Sequence, residues 1–145
     1  MRPARWIGVA VVVAIAAIVI VLFARSPRGP ETVARQFLDA LLQAPEDTAR
    51  LRAAAHLAES DDPEALLEGL STRVALEFLR ARERQGAVHD VSIAETRRPA
   101  PQRYVAVLRV VENADGAPVQ SWRFQVSMQT TDDGDWRIVA VALSE

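Results

Sequence analysis

The stretch TTDDGDWRIVAVALSE, residues 130–145, decides the fold. Asp132, Asp133, Gly134 and Asp135 supply the residue types that tolerate the positive φ angles of a tight turn. WRIVAVAL, residues 136–143, is then a Trp-led, β-branched run that reads as a strand. Just before the turn, VQSWRFQVSMQTT, residues 119–131, alternates with period two. Trp122, Phe124, Val126 and Met128 fall on one face, and Ser121, Arg123, Gln125, Ser127 and Gln129 on the other. Such alternation puts one face on a core and leaves the other for solvent or a partner.

Working back along the chain, NADGAP (113–118) is a second hairpin turn and RYVAVLRVVE (103–112) a strand apolar on both faces, hence central. In it Tyr104 heads a row with Ala106, Leu108 and Val110. RRPAPQ (97–102) reads as a loop and VHDVSIAET (88–96) as the first strand. Before residue 88 the period becomes helical. ETVARQFLDALLQ (31–43) places Val33, Ala34, Phe37, Leu38, Leu41 and Leu42 on one stripe, and Pro45 stops it. EDTARLRAAAHLA (46–58) is a second, Ala-rich helix. Asp62 and Pro63 announce a third as N-cap and first helical residue. Its expected core stripe is Leu66, Leu67, Leu70, Val74, Phe78 and Ala81, and Gly86 is its C-cap. Gly69 inside it marks a bend or a close contact. Three helices followed by a four-stranded meander predict an α+β domain, the helices packed on one sheet face.

The chain has 145 residues, 17 Lys+Arg and 19 Asp+Glu, and all 17 bases are arginine. From residue 25 onward 15 arginines face 19 acids, a net charge of −4, and no basic run appears, which argues against nucleic-acid binding. Without cysteine there is no disulfide, thiol catalysis or cysteine-bound zinc. WIGVAVVVAIAAIVIVLFA, residues 6–24, is uncharged between Arg5 and Arg25. As a helix it is about 28 Å long, which matches a bilayer core. It is longer than a signal-peptide apolar region and lacks small residues at a cleavage site, so it reads as an uncleaved anchor. The organisation is therefore a tail (1–5), a transmembrane helix (6–24), a Pro/Gly linker RSPRGP (25–30) and a domain (31–145). The short tail favours leaving the amino terminus in the cytoplasm and the domain outside it.

Gly134-Asp135-Trp136-Arg137-Ile138 matches the Gly-x-Trp-[Arg/Lys]-[Ile/Val] closing strand often found in the nuclear transport factor 2-like superfamily. With the helix ETVARQFLDALLQ, the break at Pro45, two further helices and the antiparallel strands, residues 31–145 resemble that superfamily. The resemblance implies a cone-like domain, its curved sheet able to hold a ligand in its interior, but implies no particular activity, because the fold hosts isomerases, dehydratases, cyclases, transport factors and anchored domains. A single span before such a domain also resembles assembly factors of secretion and conjugation machines, which are usually longer.

Chemistry is sparse. His56 reads as a partly exposed helix residue; His89 and Asp90, adjacent on a strand, point to opposite faces and cannot form a dyad. Enzymes of the ketosteroid isomerase type need a buried carboxylate base. Here no Asp or Glu interrupts the apolar face of any strand apart from the edge positions Glu95 and Glu112. No metal or cofactor is expected. Trp122, Phe124, Met128 and Trp136, with Tyr104, read as core or as the lining of a pocket for a small apolar ligand. Arg123, Gln125, Ser127 and Gln129 are the interface candidates, for a protein partner or a homodimer. The leading expectation is a membrane-anchored, non-enzymatic domain outside the cytoplasm that binds a protein partner in an envelope assembly. A carrier or sensor of a small apolar ligand comes second, and an enzyme of the isomerase, dehydratase or cyclase type third.

Overall fold

Helix α1 (Pro30–Gln43) begins on a proline, whose fixed φ and missing N–H suit the first helical turn. The structure, a computed structural model, describes residues 28–145 and, before them, residues 13 and 14. The expected tail 1–5 and all of the span 6–24 except those two residues lie outside the described residues. Among the described residues no helix is long and apolar enough to cross a membrane.

The apolar stripe of α1 is buried as its spacing requires, with Ala40 added. Phe37, Leu38 and Leu41 are wholly inaccessible, each contributing about 1.5–3 kcal/mol of burial. Helix α2 (Thr48–Ala55) is shorter than its sequence pattern. The Asp47 carboxylate caps its start by accepting from the Arg50 N–H at 3.0 Å. His56 takes a left-handed conformation at φ 57°, and Leu57 N–H closes the end on the Arg52 carbonyl at 2.9 Å.

The third helix departs most from expectation. Asp62 caps as predicted, accepting from Glu64 N–H, but the segment it caps is a single 3-10 turn, Pro63–Leu66. Leu67 then bridges Val141 in parallel, and Glu68 N–H donates to the Val141 carbonyl at 2.8 Å. Helix α3 (Gly69–Arg84) starts afresh at Gly69, whose φ of +75° is the break. The new phase buries Thr72, Ala75, Leu76, Leu79 and Arg80, while Leu70, Val74 and Phe78 of the expected core stripe face outward. Two buried polar groups explain the choice. The Thr72 hydroxyl accepts from Leu143 N–H at 2.7 Å, and Arg80 Nε donates to the Leu41 carbonyl at 3.1 Å. Both satisfy backbone groups that would otherwise be orphaned inside the fold. Gly86 ends α3 as expected: Ala87 N–H reaches the Arg82 carbonyl and Gly86 N–H the Glu83 carbonyl, a Schellman closure.

The sheet is an antiparallel meander in the order β1-β2-β3-β4, comprising β1 (Val88–Ala100), β2 (Arg103–Ala114), β3 (Ala117–Thr130) and β4 (Trp136–Leu143). Of the expected loop 97–102 only Pro101 and Gln102 form a turn. β1 continues to Ala100, and a bulge between Ile93 and Glu95 absorbs the residue that disturbs its alternation. Its one proline, Pro99, is tolerated because β1 is an edge strand. Asp115 and Gly116, with φ of 51° and 78°, form the two-residue β2–β3 turn, whose paired positive angles match strand twist. α1 and α3 cover one face, where Ala106, Leu108, Val110, Phe124, Val126, Ile138 and Val141 complete a single core. The opposite face carries no helix among the described residues.

Candidate functional site

β3 ties the sequence candidates together, because it spans the whole sheet. Phe124, in its middle, and Met128, two residues from its end, are fully buried and pair in register with Leu108 and Tyr104. Trp122 lies toward one end, opposite Val110, and Trp136 at the other, opposite Thr130. Eight residues of strand, about 26 Å, separate those two positions. The five candidates Tyr104, Trp122, Phe124, Met128 and Trp136 therefore do not surround one cavity. Two are core, two sit at the Trp136 end, and Trp122 alone of the five lines an open groove.

At the Trp136 end, Tyr104 and Trp136 pack with ring centroids 5.7 Å apart, and the Arg98 guanidinium lies 5.7 Å above the Trp136 ring. The Tyr104 hydroxyl donates to Glu31 Oε1 at 2.7 Å, which fixes the start of α1 to this end of the sheet. Burial, and then the Glu31 carboxylate, hold the phenol above its usual range. Glu31 is exposed, so the pair is not a buried acid–base site.

At the other end the groove runs between α3 and the edge of the sheet. Leu70, Ser71, Val74, Ala75 and Phe78 form one wall, and Gln120, Trp122 and Leu143 the other, around about 520 Å³. Leu70, Val74 and Phe78, at i, i+4 and i+8, are 78 %, 59 % and 46 % exposed. Phe78 meets Trp122 at 5.9 Å between ring centroids. Three large apolar side chains aligned on the surface beside a half-buried tryptophan are what recognition surfaces look like.

Beneath Trp122 lies a polar cluster that the linear pattern did not show. The His89 ring meets Trp122 edge-on at 6.3 Å. Its Nδ1 is 2.7 Å from Glu83 Oε2 and its Nε2 3.2 Å from Glu112 Oε2, and the His89 and Glu112 side chains are 1 % and 4 % exposed. Arg82 pairs with the same Glu112 carboxylate through Nε at 3.1 Å and through Nη2. Only a doubly protonated ring donates at both nitrogens, and in that form two cations balance two carboxylates. Hydrogen bonding from Arg82, assisted by His89, holds the Glu112 carboxyl below the usual carboxylate range. A signal was present. Glu112 continues the inward row Ala106, Leu108, Val110, and antiparallel register sets His89 opposite it. Asp90 points away, accepting from Asn113 Nδ2. His56 closes α2 and joins neither end, and its Nδ1 meets no hydrogen-bonding partner among the described residues. Among the described residues no group of three or more His, Asp or Glu is placed to hold a metal.

The interface candidates lie on the helix-free face. Arg123 and Gln129 are exposed, Gln125 and Ser127 half-buried. The β1 bulge turns Glu95 and Arg97 onto this face too, where Arg97 Nη2 donates to Gln125 Oε1 at 3.1 Å and Glu95 lies between Arg97 (3.4 Å) and Arg123 (3.7 Å).

No protein-family model matches the chain, and no curated protein sequence does. Among solved structures it is similar to a protein named "Rd1NTF2_04 with long sheet", at TM-score 0.50 and 16 % identity over 80 % of this chain and 100 % of that one. It also matches an NTF-2 like protein of unknown function from Shewanella oneidensis MR-1 (TM-score 0.43, 14 % identity, 78 % and 93 % covered). A de novo β-sheet design protein matches at TM-score 0.39 and 15 % identity, over 79 % and 88 %. The three helices on a four-stranded antiparallel sheet are thus the nuclear transport factor 2-like fold, and the likeness extends to fold alone.

Proposed function

We propose that this chain is a membrane-anchored, non-enzymatic domain outside the cytoplasm that holds a protein partner in an envelope assembly. The observation that carries the binding role is the open apolar groove of Leu70, Val74, Phe78, Trp122 and Leu143. Its wall is a helix presenting side chains at i, i+4 and i+8, the form that receives the apolar stripe of an amphipathic helix. Its position supports a partner in the aqueous phase. The bond from Tyr104 to Glu31 sets the start of α1 at the Trp136 end. The groove lies at the opposite end of the sheet from the start of α1. The non-enzymatic part is supported by the enclosure of His89 and Glu112, which a substrate does not reach. The test is a photo-crosslinking residue at Val74 in the full-length chain in its native membrane. A discrete protein adduct is expected, lost with Phe78→Glu; no adduct, or one indifferent to Phe78→Glu, overturns the proposal.

The volume of the same groove, about 520 Å³, supports a second reading, because it falls among small-molecule sites. Native mass spectrometry of the full-length chain separates the two. A retained small mass lost with Phe78→Glu identifies an apolar ligand, and a bare chain leaves the groove to a protein helix.

A further inference from the structure

The helix-free face of the sheet holds a charge pattern that no run of sequence reveals. Arg97 from β1, Arg103 and Arg109 from β2, Arg123 from β3 and Arg137 from β4 share it, all exposed, against only two acids, Asp90 and Glu95. The face is therefore net positive, while residues 28–145 as a whole carry 14 arginines and 19 acids. Within it Arg109 and Arg123 are direct cross-strand partners. Like charges set opposite each other destabilise a sheet. Glu95 offsets Arg123 at 3.7 Å, but Arg103, Arg109 and Arg137 have no carboxylate within ion-pair distance among the described residues. A second row crosses the strands as Arg103, Gln129 and Arg137, about 20 Å along β2 from the first. Between the rows lies half-buried Val105, and beyond the first lies Val111.

We infer that this face binds a carboxylate-rich segment of a protein partner, with one acidic side chain seated between Arg109 and Arg123 and another at the Arg103–Arg137 row. Guanidinium groups take carboxylates bidentately, and a carboxylate between Arg109 and Arg123 removes their mutual repulsion. The chemistry selects among occupants. A second copy docked face to face sets positive against positive across the symmetry axis. A phosphodiester backbone or a headgroup layer leaves half-buried Val105 and Val111 unused. An acidic segment with interspersed apolar residues satisfies both. This surface is independent of the groove, on the other side of the sheet.

The full-length chain in neutral maltoside micelles is titrated with a fluorescein-labelled peptide of alternating Glu and Val, and with its Lys–Val counterpart. The Glu peptide is expected to bind and the Lys peptide not. Arg109→Gln/Arg123→Gln weakens the Glu peptide at least about tenfold, the loss of one good charged contact. Raising salt weakens the wild type more than the variant. The variant keeps or raises its thermal midpoint, which a merely structural pair would lower, and Phe78→Glu leaves peptide affinity unchanged, which separates this surface from the groove. Failure of the Glu peptide to bind, equal affinity in the double variant, or equal binding of the Lys peptide overturns the inference. So does preferential binding to phosphatidylglycerol vesicles or to single-stranded DNA, or a dimer in sedimentation that the double variant abolishes.

Discussion

Trp122 and Trp136 stand on adjacent strands, both toward the helix-packed face, yet their surroundings differ. Trp136 is covered by its own chain, with Tyr104 beside it and the Arg98 guanidinium across the ring. Trp122 is covered on one side by Phe78 and His89 and opens on the other to a groove whose wall is itself exposed. A large apolar ring at a sheet end becomes fold or surface according to whether the next element brings it a lid. At the Trp136 end that lid is the β1 extension to Ala100. At the Trp122 end α3 turns its apolar stripe outward and leaves the ring half-covered.

The contrast can be broken from the middle. Phe124→Ala removes the buried ring between the two ends and should cost about 3–5 kcal/mol in urea unfolding; a loss confined to one end in hydrogen exchange would show that the ends fold separately. Next in size is the polar cluster under Trp122. Glu112→Gln leaves Arg82 and His89 short of an acceptor and should cost about 1–3 kcal/mol at neutral pH. The Glu112 carboxyl lies below its ordinary value of 4.5, so its stabilisation is complete above that pH and is lost as the pH falls through the depressed value. Unfolding midpoints of the wild type should therefore fall more steeply on acidification than those of Glu112→Gln, and parallel slopes would remove Glu112 from the account. At the opposite end, Tyr104→Phe deletes only the bond to exposed Glu31, and a loss of about 1 kcal/mol or less is expected. Smallest is Leu70→Ser/Val74→Ser. Both side chains face outward, so stability should change by about 0.5 kcal/mol or less, while the crosslink from the groove disappears. A large destabilisation there would mean the stripe is core after all.

Much of this was legible beforehand. Alternation in β3, the turn at Gly134 and the stripe of α1 fixed the fold class, because in each the periodic signal and the burial agree. The phase of α3 was not legible from apolar residues alone. Leu70, Val74 and Phe78 make the better apolar stripe, and the observed phase wins because Thr72 and Arg80 satisfy backbone groups more than 30 residues away in sequence. The polar cluster and the arginine face escaped for a related reason. His89 and Glu112, or Arg109 and Arg123, become neighbours only through strand register, which a linear pattern does not carry. The Ala94 bulge hides the face further by reversing the sides on which Glu95 and Arg97 lie.

The hydrogen bond from Leu143 to Thr72 also sets a timetable. β4 completes the seat of α3, through this bond and the link of Leu67 and Glu68 to Val141. During synthesis α3 leaves the ribosome well before β4 exists, and at about 5–20 residues per second several seconds pass before its dock is finished. In that interval Leu76 and Leu79 lack the β4 part of their seat while Leu70, Val74 and Phe78 stay exposed, so the nascent helix shows apolar side chains on two faces. Chaperone capture should be strongest in that window and should fall sharply once β4 emerges.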